Sequence, residues 1–213
     1  MEWNNQLHFY CLSRGGTYLG TREGNWHSEL LLEDGKEPMV IRGEYYPLGR
    51  GCGELVRVCT RLSLERPYEL TISSQSLMNR GLNLVAGREN YGVPQLSRKR
   101  RIRSNEPSFT TQVLRDGTLR RRLELSPRCA LSVRPISGGA GSLHLLEVHQ
   151  DMVDLLGDPL VDAALAQRSS FSGLMPDAET SPSQDDQNAF RARLDQIVSL
   201  AQAARQAVMF WRM

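Results

Sequence analysis

The last segment of the chain carries an unbroken stripe of apolar side chains. Its members recur at alternating spacings of four and three residues: Phe190, Leu194, Ile197, Ala201, Ala204, Val208 and Trp211. This spacing is typical of one face of an α-helix, and it predicts an amphipathic helix over 188–213. Such a face needs burial, either on the chain's own sheet or on a second copy of the chain. In the second case the self-association surface would consist of Phe190, Leu194, Ile197, Val208 and Trp211.

The first two-thirds of the chain alternates with a period of two. In residues 54–65 one side carries Val56, Val58, Thr60, Leu62 and Leu64, and the other carries Arg57, Cys59, Arg61 and Ser63. This pattern predicts a strand with one buried and one solvated face. Runs at 7–12 and 68–74 predict further strands. Hairpins are expected at Asp34-Gly35 and around the glycine-rich residues 137–142.

A helix start interrupts the strands after the middle of the chain. Ser104 or Asn105 can cap a helix with Pro107 in its first turn, and Phe109 and Val113 follow one turn apart. The sequence therefore predicts an α+β fold. A largely antiparallel sheet from residues 5–150 is crossed by a short helix near 106–123 and followed by a C-terminal helical section.

Four segments describe the predicted organisation. Residues 1–150 form a strand-rich α+β domain, and 151–167 form short helices broken by Gly-Asp-Pro. Residues 168–187 are polar and aperiodic, which is typical of a linker or mobile loop. Residues 188–213 are the amphipathic helix, packed on the domain or on a partner.

Composition excludes several classes of protein. A formal net charge of +2 is too small to imply a polyanion partner. No stretch is apolar enough for a membrane span, and the first residues do not read as a secretory signal, so we expect a cytoplasmic protein. The four cysteines are scattered without metal-ligand spacing, which indicates reduced, mostly buried thiols and neither a metal nor another cofactor.

The densest charge lies in the run of residues 98–103. If residues 96–103 are extended, Lys99, Arg101 and Arg103 form an outer row of cations. The candidate binding residues are Arg98, Lys99, Arg101 and Arg103. Three interpretations stay open: a face that is solvated or paired with the acidic residues of 151–213, a protein partner, and nucleic acid or an anionic surface.

A predicted loop at 43–53 adds three residues of the kinds that dominate binding hot spots. These are Tyr45, Tyr46 and Arg50. If the chain contacts a partner, we expect this loop and the 98–103 run to act together.

Several short motifs resemble a loosely defined set of bacterial domains of unknown function. They are G-V-P-Q-L at 92–96, R-I-R-S-N-E-P-S-F at 101–109, Leu114, and L-R-R-R-L at 119–123. The resemblance covers about residues 43–148. It implies a G-x-P turn, a strand ending in R-S-N-E-P, a short helix with an inward Phe and a following hairpin. Valine stands at position 93, where the set usually has an acid.

No arrangement of residues reads as a catalytic site. His149 and Asp151 could share one face of a strand as a weak acid–base couple, and Cys52 lies between two glycines. The leading hypothesis is a non-catalytic interaction or assembly domain with an arginine-rich surface. Alternatives are a nucleic-acid or anionic-surface binder, and a cryptic enzyme around His149 and Asp151.

Overall fold

A computed structural model describes residues 3–22, 27–33, 37–48, 51–74, 91–136, 143–151 and 184–211. The helices are α1 (Trp3–Arg14), α2 (Pro94–Lys99), α3 (Pro107–Val113), α4 (Gly117–Leu125) and α5 (Gln184–Phe210). The strands are β1 (Thr17–Arg22), β2 (His27–Leu32), β3 (Met39–Leu48), β4 (Gly51–Ser63), β5 (Leu70–Ser74), β6 (Arg100–Ser104), β7 (Cys129–Pro135) and β8 (Leu143–Asp151).

The strands form one antiparallel sheet in the order β1-β2-β3-β4-β8-β7-β5-β6. Helix α1 lies against β1, β2 and β3, whereas α5 lies against β4 and β8 and also contacts α1 and α4. The face of the sheet that these helices cover is called the inner face here, and the opposite one the outer face. The predicted α+β fold with a largely antiparallel sheet is confirmed.

Strand β4 shows why the sheet has two different faces. Val56, Val58 and Leu62 point to the inner face and are at most 2% exposed. Across the β4–β8 pair, Val58 lies opposite Val148, which is also fully buried. Burying each such side chain contributes about 1.5–3 kcal/mol. The period-two prediction for this strand is therefore confirmed, and the pair forms the centre of the core.

The first helix lies where the sequence predicts a strand. Residues 7–12 are predicted as a strand, but they belong to α1. Leu7, Tyr10 and Cys11 are buried, whereas Phe9 and Leu12 are exposed. Burial at positions i, i+3 and i+4 is helical periodicity. The prediction was wrong because the segment also carries apolar and aromatic residues on its exposed side, which hides that period.

The second helix corrects the prediction that residues 96–103 are extended. Pro94 begins α2, and the Ser97 amide donates to the Val93 carbonyl at 3.0 Å. Proline is favoured at the first helical position, where its missing N–H costs nothing. Gly92, with φ of 73°, makes the turn that precedes the helix. Lys99 therefore ends a helix, and the predicted outer row of three equally spaced cations does not exist.

The crossing helix near 106–123 is two short helices. Asp116 separates them, since its Oδ1 accepts a hydrogen bond from the Leu119 amide at 2.7 Å and caps α4. Leu119 and Leu123 are buried, as their spacing predicts. Phe109 is buried as well and stacks edge-on against Tyr68, with ring centroids 4.7 Å apart.

Helix α5 packs on the chain's own sheet. Leu194, Ile197 and Val208 are at most 1% exposed, and Phe190 packs against the same core cluster. The first alternative for the apolar stripe is thus the one found here. A self-association surface built from these side chains would first have to strip α5 from the sheet. Trp211 lies at the end of the helix and is 38% exposed.

Two predicted segments lie largely outside the residues that the structure describes. The short helices predicted at 151–167, apart from the strand residue 151, and most of the predicted linker at 168–187 lie outside the described residues. The helix already includes residues 184–187. The linker prediction was wrong there because the apolar stripe begins only at Phe190, so it could not locate the polar first turn. Within the described residues, no helix is long and apolar enough to cross a membrane.

Replacing Ile197 by alanine tests whether α5 is part of the core. We expect Ile197→Ala to lower the free energy of unfolding by about 2–4 kcal/mol, because it leaves a cavity between α5 and the sheet. Phe210→Ala is the matched control, since Phe210 is 77% exposed and should change stability by no more than about 0.5 kcal/mol. Urea unfolding measures both. Equal stabilities would contradict the placement of α5.

Candidate functional site

The R-S-N-E-P segment is held by a network of polar contacts. Ser104 Oγ accepts from the Glu106 amide at 3.0 Å and from the Thr110 hydroxyl at 2.6 Å. Because Thr110 donates there, the Tyr68 hydroxyl, 2.9 Å away, donates to Thr110. Burial raises the pKa of Tyr68 to about 12, in keeping with this donor role. Asn105 Oδ1 accepts from the Glu69 amide at 2.8 Å. These residues therefore hold the start of β5 against the end of β6.

Arg100 is the one cation of the basic run that is buried. It is 3% exposed, and its guanidinium donates to the carbonyl oxygens of Leu123 at 2.7 Å and Cys129 at 2.5 Å. A further bond reaches the carbonyl of Ser126. Burial lowers the pKa of Arg100. Its planar fork thus joins β6 to the end of α4 and the start of β7.

The other cations of the run stay at the surface. Arg98, Lys99 and Arg103 are exposed and Arg101 is half-buried. None of the four forms an ion pair with another described residue. Among the described residues, these four cations do not form the predicted ion pairs with acids of 151–213. These four side chains are called the arginine edge here, because β6 ends the described sheet.

The acid of α5 that the structure describes has a different partner. Asp195 forms an ion pair with Arg14 and accepts from the Tyr10 hydroxyl at 2.8 Å. Burial and this hydrogen bond raise the pKa of Tyr10. Asp195 therefore holds α1 against α5, far along the chain from the basic run.

The aromatic residues that flank the run are not available for stacking. Tyr91 is 2% exposed and Phe109 is 4% exposed. Proteins that bind single-stranded nucleic acid combine cations with accessible aromatic side chains on which bases stack. The arginine edge therefore offers charge without a stacking platform in this part of the structure.

The predicted loop at 43–53 is mostly a β-hairpin. Tyr45 and Tyr46 lie in β3, opposite Glu54 and Gly53 of β4, while Arg50 lies outside the described residues. Since β3 and β6 are five strand spacings apart, about 24 Å separates the tyrosine backbone from the arginine edge. The structure does not bring these two predicted binding regions together.

The outer face of the sheet carries a ladder of ion pairs. Arg57 lies between two carboxylates, with its Nε 3.0 Å from Glu44 and its Nη1 2.8 Å from Glu147. Arg42 pairs with Glu29 and, at 3.6 Å, with Glu44. Every described carboxylate in this ladder thus has at least one cationic partner.

Glu147 is a buried carboxylate of the ladder. Its side chain is 11% exposed, and His149 Nδ1 lies 3.2 Å from its Oε1 without hydrogen-bond geometry. The contact with His149, followed by the charge of Arg57, lowers the pKa of Glu147 despite its burial. Burial works against the charge of Arg57, but Glu44 and Glu147 raise its pKa overall. Arg57 and Glu147 therefore stay charged at neutral pH.

The residues considered for catalysis do not assemble into a reactive group among the described side chains. His149 contacts Glu147, and the side chains of Asp151 and Cys52 lie outside the described part of the structure. Cys59 lies beside Glu147 on the outer face, and burial raises the pKa of its thiol to about 11. It is therefore a neutral thiol and a poor nucleophile at neutral pH.

The remaining described cysteines, Cys11 and Cys129, are buried and free, as predicted. Burial raises the pKa of Cys129 to about 11. Among the described residues no group of acidic, cysteine or histidine side chains has the arrangement of a metal site.

A groove of about 700 Å³ lies on the outer face beside the ladder. Leu31, Val40 and Leu145 contribute to its lining, and Arg61 and Arg134 line it on either side of Leu145. The sequence alone did not predict this groove. The sequence pattern placed both arginines on the solvated faces of their strands. It could not show that these strands pair with the same strand, β8, which brings the two arginines close together.

Comparisons with known proteins return no match. No family model matches the chain, and neither a curated protein nor a solved structure is significantly similar to it. The resemblance to bacterial domains with a G-x-P turn therefore stays a prediction, and function must follow from the geometry of the molecule.

Replacing Arg100 tests its role in positioning β6. We expect Arg100→Ala to lower the free energy of unfolding by about 3 kcal/mol, because three carbonyl oxygens lose their hydrogen bond from the buried guanidinium. The free energy of unfolding of Arg100→Lys should lie between those of the unmodified protein and Arg100→Ala, since an ammonium lacks the planar fork. The matched control, Arg103→Ala, removes an exposed cation and should change stability by no more than about 0.5 kcal/mol. Similar unfolding midpoints for Arg100→Ala and Arg103→Ala would contradict this role.

The lowered pKa of Glu147 predicts an acid-dependent contribution to stability. The folded state binds this proton more weakly than the unfolded chain does. The contribution of Glu147 to stability is therefore fully present above pH 4.5 and is lost as pH falls through the folded pKa. Glu147→Gln should therefore cost about 1–3 kcal/mol at pH 7 and less at pH 3.

Urea unfolding at both pH values measures the Glu147 effect. Glu65→Gln is the control, since Glu65 is exposed and forms no ion pair with a described residue. A cost for Glu147→Gln that is the same at pH 7 and pH 3 would contradict the ladder.

Proposed function

We propose that the chain is a non-catalytic protein-interaction domain, acting in the cytoplasm, whose arginine edge docks an extended acidic segment of a partner protein. The observation that carries the proposal is a strand at the end of the described sheet, flanked by cations without described carboxylate partners. An end strand accepts a further strand by main-chain hydrogen bonding, and the charges select what binds.

The hydrogen-bond pattern supports an open edge at Ile102. The Asn105 amide donates to Glu69 of the preceding segment at 3.2 Å, and bonding alternates along an antiparallel pair. Arg101 and Arg103 are therefore expected to bond to β5. The amides of Arg100 and Ile102 then face away, and that of Arg100 donates instead to the Leu96 carbonyl of α2.

Charge supports an acidic partner. Arg101 and Arg103 alternate with Arg100 and Ile102, so they share the outer face of β6. A partner strand with acidic residues at every second position would place them directly opposite Arg101 and Arg103, with about 5 Å between the Cβ atoms of each pair. Cations on an end strand also discourage pairing with uncharged edges, which gives the docking selectivity.

Nucleic acid is less well supported as the ligand. The break between α2 and β6 at Lys99 removes the even spacing of cations that would follow a phosphate backbone. Tyr91 and Phe109 are buried, so bases have no described aromatic surface near the run. Homodimerisation through α5 is also less well supported, because its apolar face is buried on the sheet.

Fluorescence anisotropy with labelled peptides tests the docking. We expect a peptide that alternates glutamate and valine to bind at low salt, and a peptide with the same charges but proline in place of valine to bind much more weakly, because proline removes the ladder donors. Arg101→Gln/Arg103→Gln should weaken binding about fivefold to tenfold, since two exposed ion pairs are lost.

The matched control for this experiment is Arg120→Gln/Arg121→Gln, which removes two exposed arginines of α4 and changes the net charge equally. Binding should be unchanged in this variant. If both peptides bind alike, or if both double variants bind alike, strand addition at the arginine edge is refuted. Stronger binding of a single-stranded oligonucleotide than of the glutamate–valine peptide would favour nucleic acid instead.

A further inference from the structure

We propose that the groove on the outer face binds a small amphipathic anion, a molecule with a carboxylate or phosphate head and an apolar tail. The head would lie between Arg61 and Arg134, and the tail would lie over Cys59, Val40 and Leu31. This site is separate from the arginine edge and does not depend on the docking of a partner there.

The register of three strands places the two arginines around one point. Arg61 of β4 lies opposite Leu145 of β8, and Leu145 lies opposite Arg134 of β7. The two arginine Cα atoms are thus two strand spacings apart, about 9.6 Å. Both side chains line the groove. Two guanidinium groups can converge from opposite sides on an anion held above Leu145.

These arginines differ from the other outer-face cations in their partners. Arg42 and Arg57 are paired with the ladder carboxylates. Arg61 and Arg134 form no ion pair with a described residue, although the exposed Glu37 also lines the groove. The groove therefore has a neutralised side along the ladder and a cationic side at Arg61 and Arg134, which favours an anion over a cation.

The floor of the groove explains the apolar tail. Leu31, Val40 and Cys59 lie opposite one another in adjacent strands, and Glu147 continues the row. The row from β8 to β2 spans three strand spacings, about 14 Å. Burial keeps Cys59 a neutral thiol, so it acts as an apolar surface there. A volume near 700 Å³ falls within the range of small-molecule sites.

Isothermal titration calorimetry with three ten-carbon probes tests the site. We expect decanoate or decyl phosphate, or both, to bind at one site per chain, and decyltrimethylammonium not to bind. Binding of the carboxylate alone or of the phosphate alone identifies the preferred head. Equal binding of the cationic probe, or no binding of either anion, overturns the proposal.

Two variants locate the binding. Arg61→Gln/Arg134→Gln should weaken binding of the anionic probe about tenfold for each arginine removed. Leu145→Glu places a carboxylate between the arginines, so it should abolish binding while the new cross-strand pairs keep the fold. Arg120→Gln/Arg121→Gln on α4 is the control and should bind like the unmodified protein. Circular dichroism checks the fold of each. Unchanged affinity in both groove variants refutes the site.

Discussion

The pairing of β4 with β8 is the constraint on which the rest of the structure depends. Both strands place apolar side chains on the inner face, where Val58 and Val148 meet and α5 covers them. The same alternation forces the other side chains of these strands to the outer face, including Arg57 and Glu147. A dry core and a charged outer face are therefore one consequence of a single register. A slip of one residue would exchange them.

Arg100 links this framework to the surface that we propose as functional. Its guanidinium bonds to carbonyls of Leu123, Ser126 and Cys129, so it fastens β6 to segments that come later in the chain. The neighbouring cations then have a fixed direction on a strand that ends the described sheet. A rigid edge loses less conformational entropy when a partner binds. The most buried member of the basic run thus fixes the position of the exposed members, to which we propose that a partner docks.

Local periodicity predicted the elements with long regular patterns. The alternation of β4 and the stripe of α5 were both readable, because each element buries one face along its whole length. Helix α1 was not predicted, because it carries apolar residues on both of its sides. The change from helix to strand after Lys99 was not predicted either, because it falls inside a charged run. The carbonyl partners of Arg100 and the convergence of Arg61 with Arg134 depend on strand order, which spacing along one chain does not encode.

Hydrogen exchange at the Ile102 amide tests the central claim, that β6 is an open edge ready for an acidic strand. In the free protein this amide should exchange much faster than those of Arg101 and Arg103, which are expected to bond to β5. Adding the glutamate–valine peptide should slow exchange at Ile102 and leave the other two unchanged. An Ile102 amide that is already as protected as its neighbours, or that the peptide does not protect, would contradict the account.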